Sequence, residues 1–346
     1  MKIAFSSTSI TSLRRQHGIA MLMAIMIAAL AVTIATAIYM QQRYSIRLTQ
    51  NIQTMEQAYQ YAYAAEHMMA AVLKRDAQKN KSDSLFDDWA QALDPFEIDD
   101  DNGKAIGQIE IKLEDMQAYF NINNIYDVKD KKPRAFMMKA YQRLLQTYGL
   151  PTSFAFTTLD WIDEDDKLSD PGSAESSYYE QQDPPYKAAN HLLSDPAELM
   201  AIRLDSVTNA EEKQELLNEI LPYAFTLPTP TALNANTADE VALLAVGLTS
   251  QQVGALLTLR RSRPIEDINA LSTSVSGLTP EASAALGVSS NYFRLTGQVK
   301  LGKTRLFLNS VLFRSPEGEV HVIMRQFSRV PRYKKQTDQT NLTGLN

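Results

Sequence analysis

Residues 14–40 read Arg14-Arg15-Gln16-His17-Gly18-Ile19-Ala20-Met21-Leu22-Met23-Ala24-Ile25-Met26-Ile27-Ala28-Ala29-Leu30-Ala31-Val32-Thr33-Ile34-Ala35-Thr36-Ala37-Ile38-Tyr39-Met40. No charge interrupts the run from Ile19 to Met40, which as a helix would be about 33 Å long, enough for a hydrocarbon core of about 30 Å. Arg14 and Arg15 precede it, and Arg43 and Arg47 follow. One reading is an uncleaved signal anchor whose leading arginines stay in the cytoplasm. A secretory signal would place its small-residue cleavage site after the apolar run. Here the glycine stands before it, so scission between Gly18 and Ile19 would remove the basic leader and keep the helix.

Beyond Met40 the helical period continues. Leu48, Ile52, Met55, Tyr59, Ala62, Ala65, Met69 and Val72 recur at spacings of three and four, with no Pro or Gly until past Arg75. A helix apolar all round and then apolar on one stripe suits a segment that crosses a membrane and then packs on a sheet. The alternative is an anchor followed by a coiled coil, which the scarcity of Leu and Ile in the stripe disfavours.

Lys79–Ser84 reads as a polar turn, and Phe86, Trp89 and Leu93 suggest a short helix. Residues 108–113 alternate as a half-buried strand. The Asp99-Asp100-Asp101-Asn102-Gly103 run before them is either a solvated hairpin turn or a cation loop. From about Lys131 to Ala285 helical patterns dominate. A stripe from Phe136 to Tyr148 ends at Gly149 and Pro151, capping boxes are read at Asp195, Thr237 and Thr249, and Thr279-Pro280 opens another helix. After Ser290 the period returns to two, through Phe293, Leu295, Val299 and Leu301, with a hairpin turn at Pro316-Glu317-Gly318. The early strands are too few for a stable sheet and must pair with the late ones. The expected fold class is therefore α+β: a long N-terminal helix packed on an antiparallel sheet, with a large all-α domain inserted between early and late strands. The boundaries expected are a leader at 1–18, a membrane segment at 19–40 continuing as helix to about 75, sheet segments at 76–130 and 290–330, an inserted α-domain at 131–289, and a tail at 331–346.

The 346 residues carry 34 Lys and Arg against 40 Asp and Glu, a net charge of −6 that argues against general nucleic-acid binding. There is no cysteine, so any staple must be something other than a disulfide. The four histidines do not cluster, and no nucleophile elbow, phosphate loop or zinc-spaced pair occurs. The chain is read as a non-enzyme, an anchored hydrolase using the acidic residues being the remote alternative.

The chemically richest stretch is Asp160-Trp161-Ile162-Asp163-Glu164-Asp165-Asp166-Lys167-Leu168-Ser169-Asp170-Pro171-Gly172-Ser173-Ala174-Glu175. Such crowded carboxylates need counter-charge, solvent or a hard cation, and calcium takes six to eight oxygens from loops of this kind. The match to an EF-hand is loose. From the residues alone, a calcium loop and a solvated acidic loop both stand.

Several of these segments together resemble the K-type minor pseudopilins of type II secretion systems. Gly18 before the apolar run resembles the leader that prepilin peptidase cleaves, and Met23 stands where most pilins carry Glu, as in K subunits. Glu114 to Asn124, with Phe120-Asn121-Ile122-Asn123, resembles the family's Asn-rich turn. The acidic loop resembles its D-W-(I/L)-D-x-D…G-A-E…Y-Y…P-P-Y…N pattern through Asp160-Trp161-Ile162-Asp163-Glu164-Asp165, Gly172, Ala174-Glu175, Tyr178-Tyr179, Pro184-Pro185-Tyr186 and Asn190, with Ser173 as a one-residue insertion. The resemblance implies a structural role at the tip of the pseudopilus, anchored in the inner membrane with the C-terminal domain in the periplasm. It implies partnership with the minor pseudopilins I and J, extending to H and the major pseudopilin G. It also implies calcium, held by Asp163, Asp165 and Glu175, with Asp160, Asp170 and Asn190 as weaker ligands.

Leu233-Asn234-Ala235-Asn236-Thr237-Ala238 to Leu248, followed by Arg260-Arg261-Ser262-Arg263, also resembles the helix-hairpin-helix of DNA-uptake proteins. That gives the competing function, a membrane-anchored DNA-binding protein. The same segment is typical of K-type α-domains.

Overall fold

The computed structural model describes residues 13–205, 207 and 209–329. Most of the leader and the tail at 331–346 lie outside them. The chain divides into two compact units, Met1–Gln60 and Tyr61–Asn346.

Helix α1 runs unbroken over Leu13–Lys79, four residues past the expected end. Its first stretch is long and apolar enough to cross a membrane once, and none of that window is buried. Leu48 and Ile52, on the expected stripe, are about half exposed. In the second unit one face of α1 is buried through Ala62, Ala65, Glu66, Met69, Leu73 and Asp76. Leu73 rather than Val72 takes the buried position there.

The face meets a five-stranded sheet in the order β1 (Phe96–Asp99), β2 (Ala105–Asp115), β3 (Tyr292–Leu301), β4 (Thr304–Arg314), β5 (Val320–Gln326). All neighbouring pairs are antiparallel. Leu113, Leu295, Ser310 and Arg325 stand side by side across four strands. Ser310 and Arg325 on that row both bond Glu66 of α1, at 2.6 and 2.5 Å. Alternation then puts Val311, one residue on, on the opposite face, where it packs with Met116, Leu227 and Tyr292. The acidic hairpin between β1 and β2 closes on itself, Asp100 Oδ1 accepting from the Asn102 and Lys104 amides at 2.9 and 3.0 Å.

The insertion lies between β2 and β3. It holds α2 (Ala135–Thr147), α3 (Phe154–Ile162), α4 (Ser176–Tyr179), α5 (Ala210–Ile220), α6 (Glu240–Ala245), α7 (Ser250–Ser262), α8 (Ile268–Ser274) and α9 (Pro280–Ala285) around one apolar core. It is not purely helical, since two-residue parallel pairs tie Phe120–Asn121 to Ala224–Phe225 and Leu233–Asn234 to Leu286–Gly287. Asp195 opens a 3-10 turn, Pro196–Met200, rather than an α-helix, although the capping box itself forms. Phe86, Trp89 and Leu93 likewise frame only a three-residue 3-10 turn at Asp88–Ala90. The box expected at Thr237 is displaced. Asp239 caps α6, because the Thr237 hydroxyl donates to Asp115 at 2.5 Å instead.

Asparagines do more than end a strand. Asn121, Asn123, Asn124 and Asn236 are buried, and each uses both amide atoms on distant backbone. Asn123, for example, donates to Leu193 and Leu227 carbonyls at 2.8 and 2.9 Å and accepts the Leu193 amide at 2.9 Å. Each therefore substitutes for a backbone partner that loops lack.

One buried polar knot joins the helix, the sheet and the insertion. Arg314 of β4 donates to Asp76 (3.2 Å), Asp83 (2.5 Å) and the Ser290 carbonyl (2.8 Å). The Ser290 hydroxyl donates to Asp115 at 2.7 Å, and Asn234 reaches the same carboxylate at 2.9 Å. Burial pushes Asp115 up to about 6 despite these donors.

Candidate metal centre

The acidic loop begins where α3 ends. Leu159 and Ile162 are buried in the core, which leaves Asp160 and Trp161 on the flank facing the loop and Asp163 as the C-cap residue. Asp160 is fully buried. Its carboxylate accepts from the Ser169 amide at 3.0 and 3.2 Å and from the Ser173 hydroxyl. That hydroxyl also contacts the Asp170 carbonyl at 2.7 Å, and Asp170 Oδ1 accepts the Gly172 amide at 3.0 Å. Ser173 thus works as a bridge that shapes the loop around Asp160. Asp160 and Asp170 are largely satisfied by the loop itself.

Glu175 and Asp163 are not. Glu175 precedes α4 and is 2% exposed, yet neither carboxylate oxygen has a hydrogen-bond partner. Oδ1 of Asp163 and Oδ1 of Asn190 are also buried without partners. Asn190 is held in a left-handed conformation, φ +49°, with its amide on the Trp161 carbonyl at 2.9 Å. Asp165, by contrast, lies at the exposed rim, where Oδ1 accepts the Lys167 amide at 2.8 Å. Beneath the loop Trp161, Tyr179 and Tyr186 form an aromatic wall with centroids 5.1–6.2 Å apart. Those rings pack, and Tyr186 spends its hydroxyl on the Ala201 carbonyl.

The electrostatics agree with the orphaned oxygens. Burial first, then the carboxylates of Asp160 and Asp163, push Glu175 up to about 8. Burial and the neighbouring Asp160 and Asp165 push Asp163 up to about 7. Among the described residues no Lys, Arg or His forms an ion pair with Asp160, Asp163 or Glu175. A hard cation needs oxygen donors that lack other partners, and Asp163, Glu175 and Asn190 offer them.

The hairpin-helix segment is built for packing. Gly247 and Gly277, at φ +92° and +79°, make twin turns before Thr249 and Thr279, which cap α7 and α9. Arg260, the first of the basic run, turns inward and donates to the Ala235 and Ala238 carbonyls at 3.2 and 2.6 Å. It is therefore withdrawn from any phosphate contact.

The family model for type II secretion system (T2SS) protein K matches residues 118–229, which include Asn121, Asn123 and Asn124 and the whole acidic loop. The type II secretion system protein K of Aeromonas hydrophila is 30% identical over 338 residues, covering 91% of this chain and 98% of that protein. The chain belongs to the type II secretion system protein K family. The protein K relatives from Klebsiella pneumoniae, at 31% identity, and Pseudomonas aeruginosa, at 28%, cover 86% and 91% of the chain. A chain of the GspK-GspI-GspJ complex from enterotoxigenic Escherichia coli shares the fold, with a TM-score of 0.68 at 23% identity, covering 82% of this chain and 99% of that one.

Sequence reasoning missed the Arg314 knot. Its members are scattered from Asp76 to Arg314, and the one available signal was a carboxylate, Asp76, standing in helical register with the buried stripe of α1.

Proposed function

We propose that this chain is a minor pseudopilin at the tip of the type II secretion pseudopilus, a structural rather than catalytic subunit. The observation that carries the reading is the likeness to protein K along nearly the whole chain, since a tip role requires the anchor helix, the sheet and the bulky insertion together. The relative of known structure was solved with GspI and GspJ. By that analogy this chain joins the minor pseudopilins I and J, and through them H and the major pseudopilin G. The apolar helix then sits in the inner membrane with the folded body in the periplasm. Prepilin peptidase cuts between Gly18 and Ile19, both exposed on α1. Pull-down of the I–J pair by the full chain tests the assembly, and loss of that capture overturns it. Mass spectrometry of the cellular protein tests the processing, with a mature N-terminus at Ile19 expected.

The acidic loop completes the proposal as a calcium staple. Asp163, Glu175 and Asn190 supply the open oxygens, Asp160 and Asp170 shape the loop, and Asp165 is available from the rim. A bound calcium would supply the positive charge that these buried carboxylates lack. Because it would bind only the folded state, it would raise thermal stability in proportion to its occupancy.

A further inference from the structure

A second group of carboxylates stands at the end of α1, on different elements from the acidic loop. Asp76, Asp83 and Asp87 each bring an oxygen within 4.8 Å of the others. Both ion pairs found for this trio among the described residues come from Arg314, to Asp76 and Asp83. Three negative charges against one positive leave an excess of two. Proximity of carboxylates alone would mean little, but Asp83 adds an independent sign. It is 1% exposed, and its Oδ2 accepts from Arg314 and from the Ser290 amide at 2.7 Å, while its Oδ1 is reached by no donor at all. A buried carboxylate oxygen without a partner is costly unless something fills the place. Asn80 lies across the same opening, donating to Asp76 Oδ1 at 2.7 Å and Asp87 Oδ1 at 3.2 Å. Rotating its amide by half a turn would present a fourth oxygen to the same space, and amide orientation follows the network around it.

We propose that Asp76, Asp83, Asp87 and Asn80 hold one divalent hard cation, calcium, which ties the last turn of α1 to the loop leading into β1. The cation completes the charge balance that Arg314 leaves unfinished. Calcium suits the set better than magnesium, since magnesium retains several waters and this opening is lined by three buried or half-buried carboxylates. In a chain without cysteine it gives the junction of helix and sheet a staple of its own.

The two tryptophans allow a direct test. Trp161 borders the acidic loop, and Trp89 lies two residues beyond Asp87, against Phe293, over which Arg314 sits. In the full chain in detergent carrying Trp161→Phe, terbium, a calcium mimic, should emit when excited at the red edge of tryptophan absorption. Calcium should compete that emission away. Asp87→Asn, which touches no arginine, and Asn80→Ala should each weaken terbium binding by about tenfold or more. Glu175→Gln should leave the emission from Trp89 unchanged, which separates this ion from the one proposed for the acidic loop. Asp83→Asn is the less informative variant, because it also loosens Arg314. Absence of terbium emission in the Trp161→Phe chain, or emission that Asp87→Asn does not weaken, overturns the proposal. Protons on the carboxylates would then account for the charge balance.

Discussion

Two sets of buried carboxylates lie in this protein, and they differ in what the polypeptide supplies to answer them. Around Asp76, Asp83 and Asp115 the chain provides a guanidinium, two hydroxyls and two asparagine amides. Around Asp163 and Glu175 it provides almost nothing, and burial drives them to about 7 and about 8, further toward the neutral form than Asp76 and Asp115 at about 6. The first set is built into the fold from residues far apart in sequence. It leaves one oxygen open, Oδ1 of Asp83, whereas the second set has both Glu175 oxygens and Asp163 Oδ1 without partners. Buried oxygens that the chain leaves without donors point outward, to something that arrives from solution.

The sharpest way to break that contrast is to remove the internal cation. Arg314→Met leaves Asp76 and Asp83 buried without their partner, and loss of one member of a buried pair costs about 3–5 kcal/mol. Chemical unfolding of the full chain in detergent, followed by tryptophan fluorescence, should show a loss of that size. A change below about 1 kcal/mol would mean that the knot relaxes or takes up protons easily, and that the two sets are less different than their geometry suggests.

Chelation tests what arrives from solution, and a variant of the acidic loop isolates that loop's part. With calcium at a hundredfold excess over its dissociation constant, removal by a chelator should lower stability by about 2.7 kcal/mol per ion. Glu175→Gln should abolish most of the acidic loop's share of that response. The pH dependence follows from the directions of the shifts. In the chelated protein the folded state holds protons on Asp163 and Glu175 that the unfolded chain has released, so the contribution of these two groups to stability is fully present below about pH 4. It declines as pH rises through about 7 and then about 8. Added calcium should oppose that decline, because the ion replaces the protons. A chelated protein whose stability rises between pH 5 and 8 would contradict this account of the loop.

These two regions were not equally legible in the sequence. The acidic loop is contiguous, so Asp160 to Glu175 declared itself by composition alone, although the burial of Glu175 and the exposure of Asp165 did not. The sheet was visible because alternation from Gln108 to Leu113 and from Phe293 to Leu301 has a period of two, and the length of α1 because no Pro or Gly breaks it. The knot had no such local signature. Thr237 shows the reason in one residue. It looks like a helix cap beside Asp239 and Glu240, and nothing near it in sequence announces that Asp115, more than a hundred residues earlier, will claim its hydroxyl. The asparagines at 121, 123 and 124 read as local turn formers for the same reason, while most of their bonds go to segments beyond residue 190.

A smaller change separates shape from charge within the loop. Ser173→Ala removes the hydroxyl between Asp160 and the Asp170 carbonyl but no carboxylate. A hydrogen bond to a charged group contributes about 1.5–3 kcal/mol. The loss should fall in that range without calcium, and affinity for calcium should fall as well if the bridge shapes the loop for the ion. Equal destabilisation with and without calcium would confine Ser173 to packing.

The smallest effect is expected two residues from the knot. Lys74 and Asp76 both sit near the end of α1 and both reach toward the β4–β5 hairpin, Lys74 to Glu319 at 2.7 Å and Asp76 to Arg314 at 3.2 Å. Distance alone would rank the Lys74 pair as the stronger. Its side chains are 47% and 57% exposed, however, whereas those of Asp76 and Arg314 are 4% and 7% exposed. Water and salt screen the outer pair, and ordering two long side chains opposes it, so Lys74→Ala should change stability by no more than about 0.5 kcal/mol. The same unfolding assay measures both variants, and raising the ionic strength should erase what remains of the Lys74 effect while leaving that of Arg314→Met nearly intact. If Lys74→Ala instead costs as much as Arg314→Met, burial is not what distinguishes the two pairs, and the contrast between carboxylates answered by a buried guanidinium and carboxylates with no cation of the chain's own loses its physical basis.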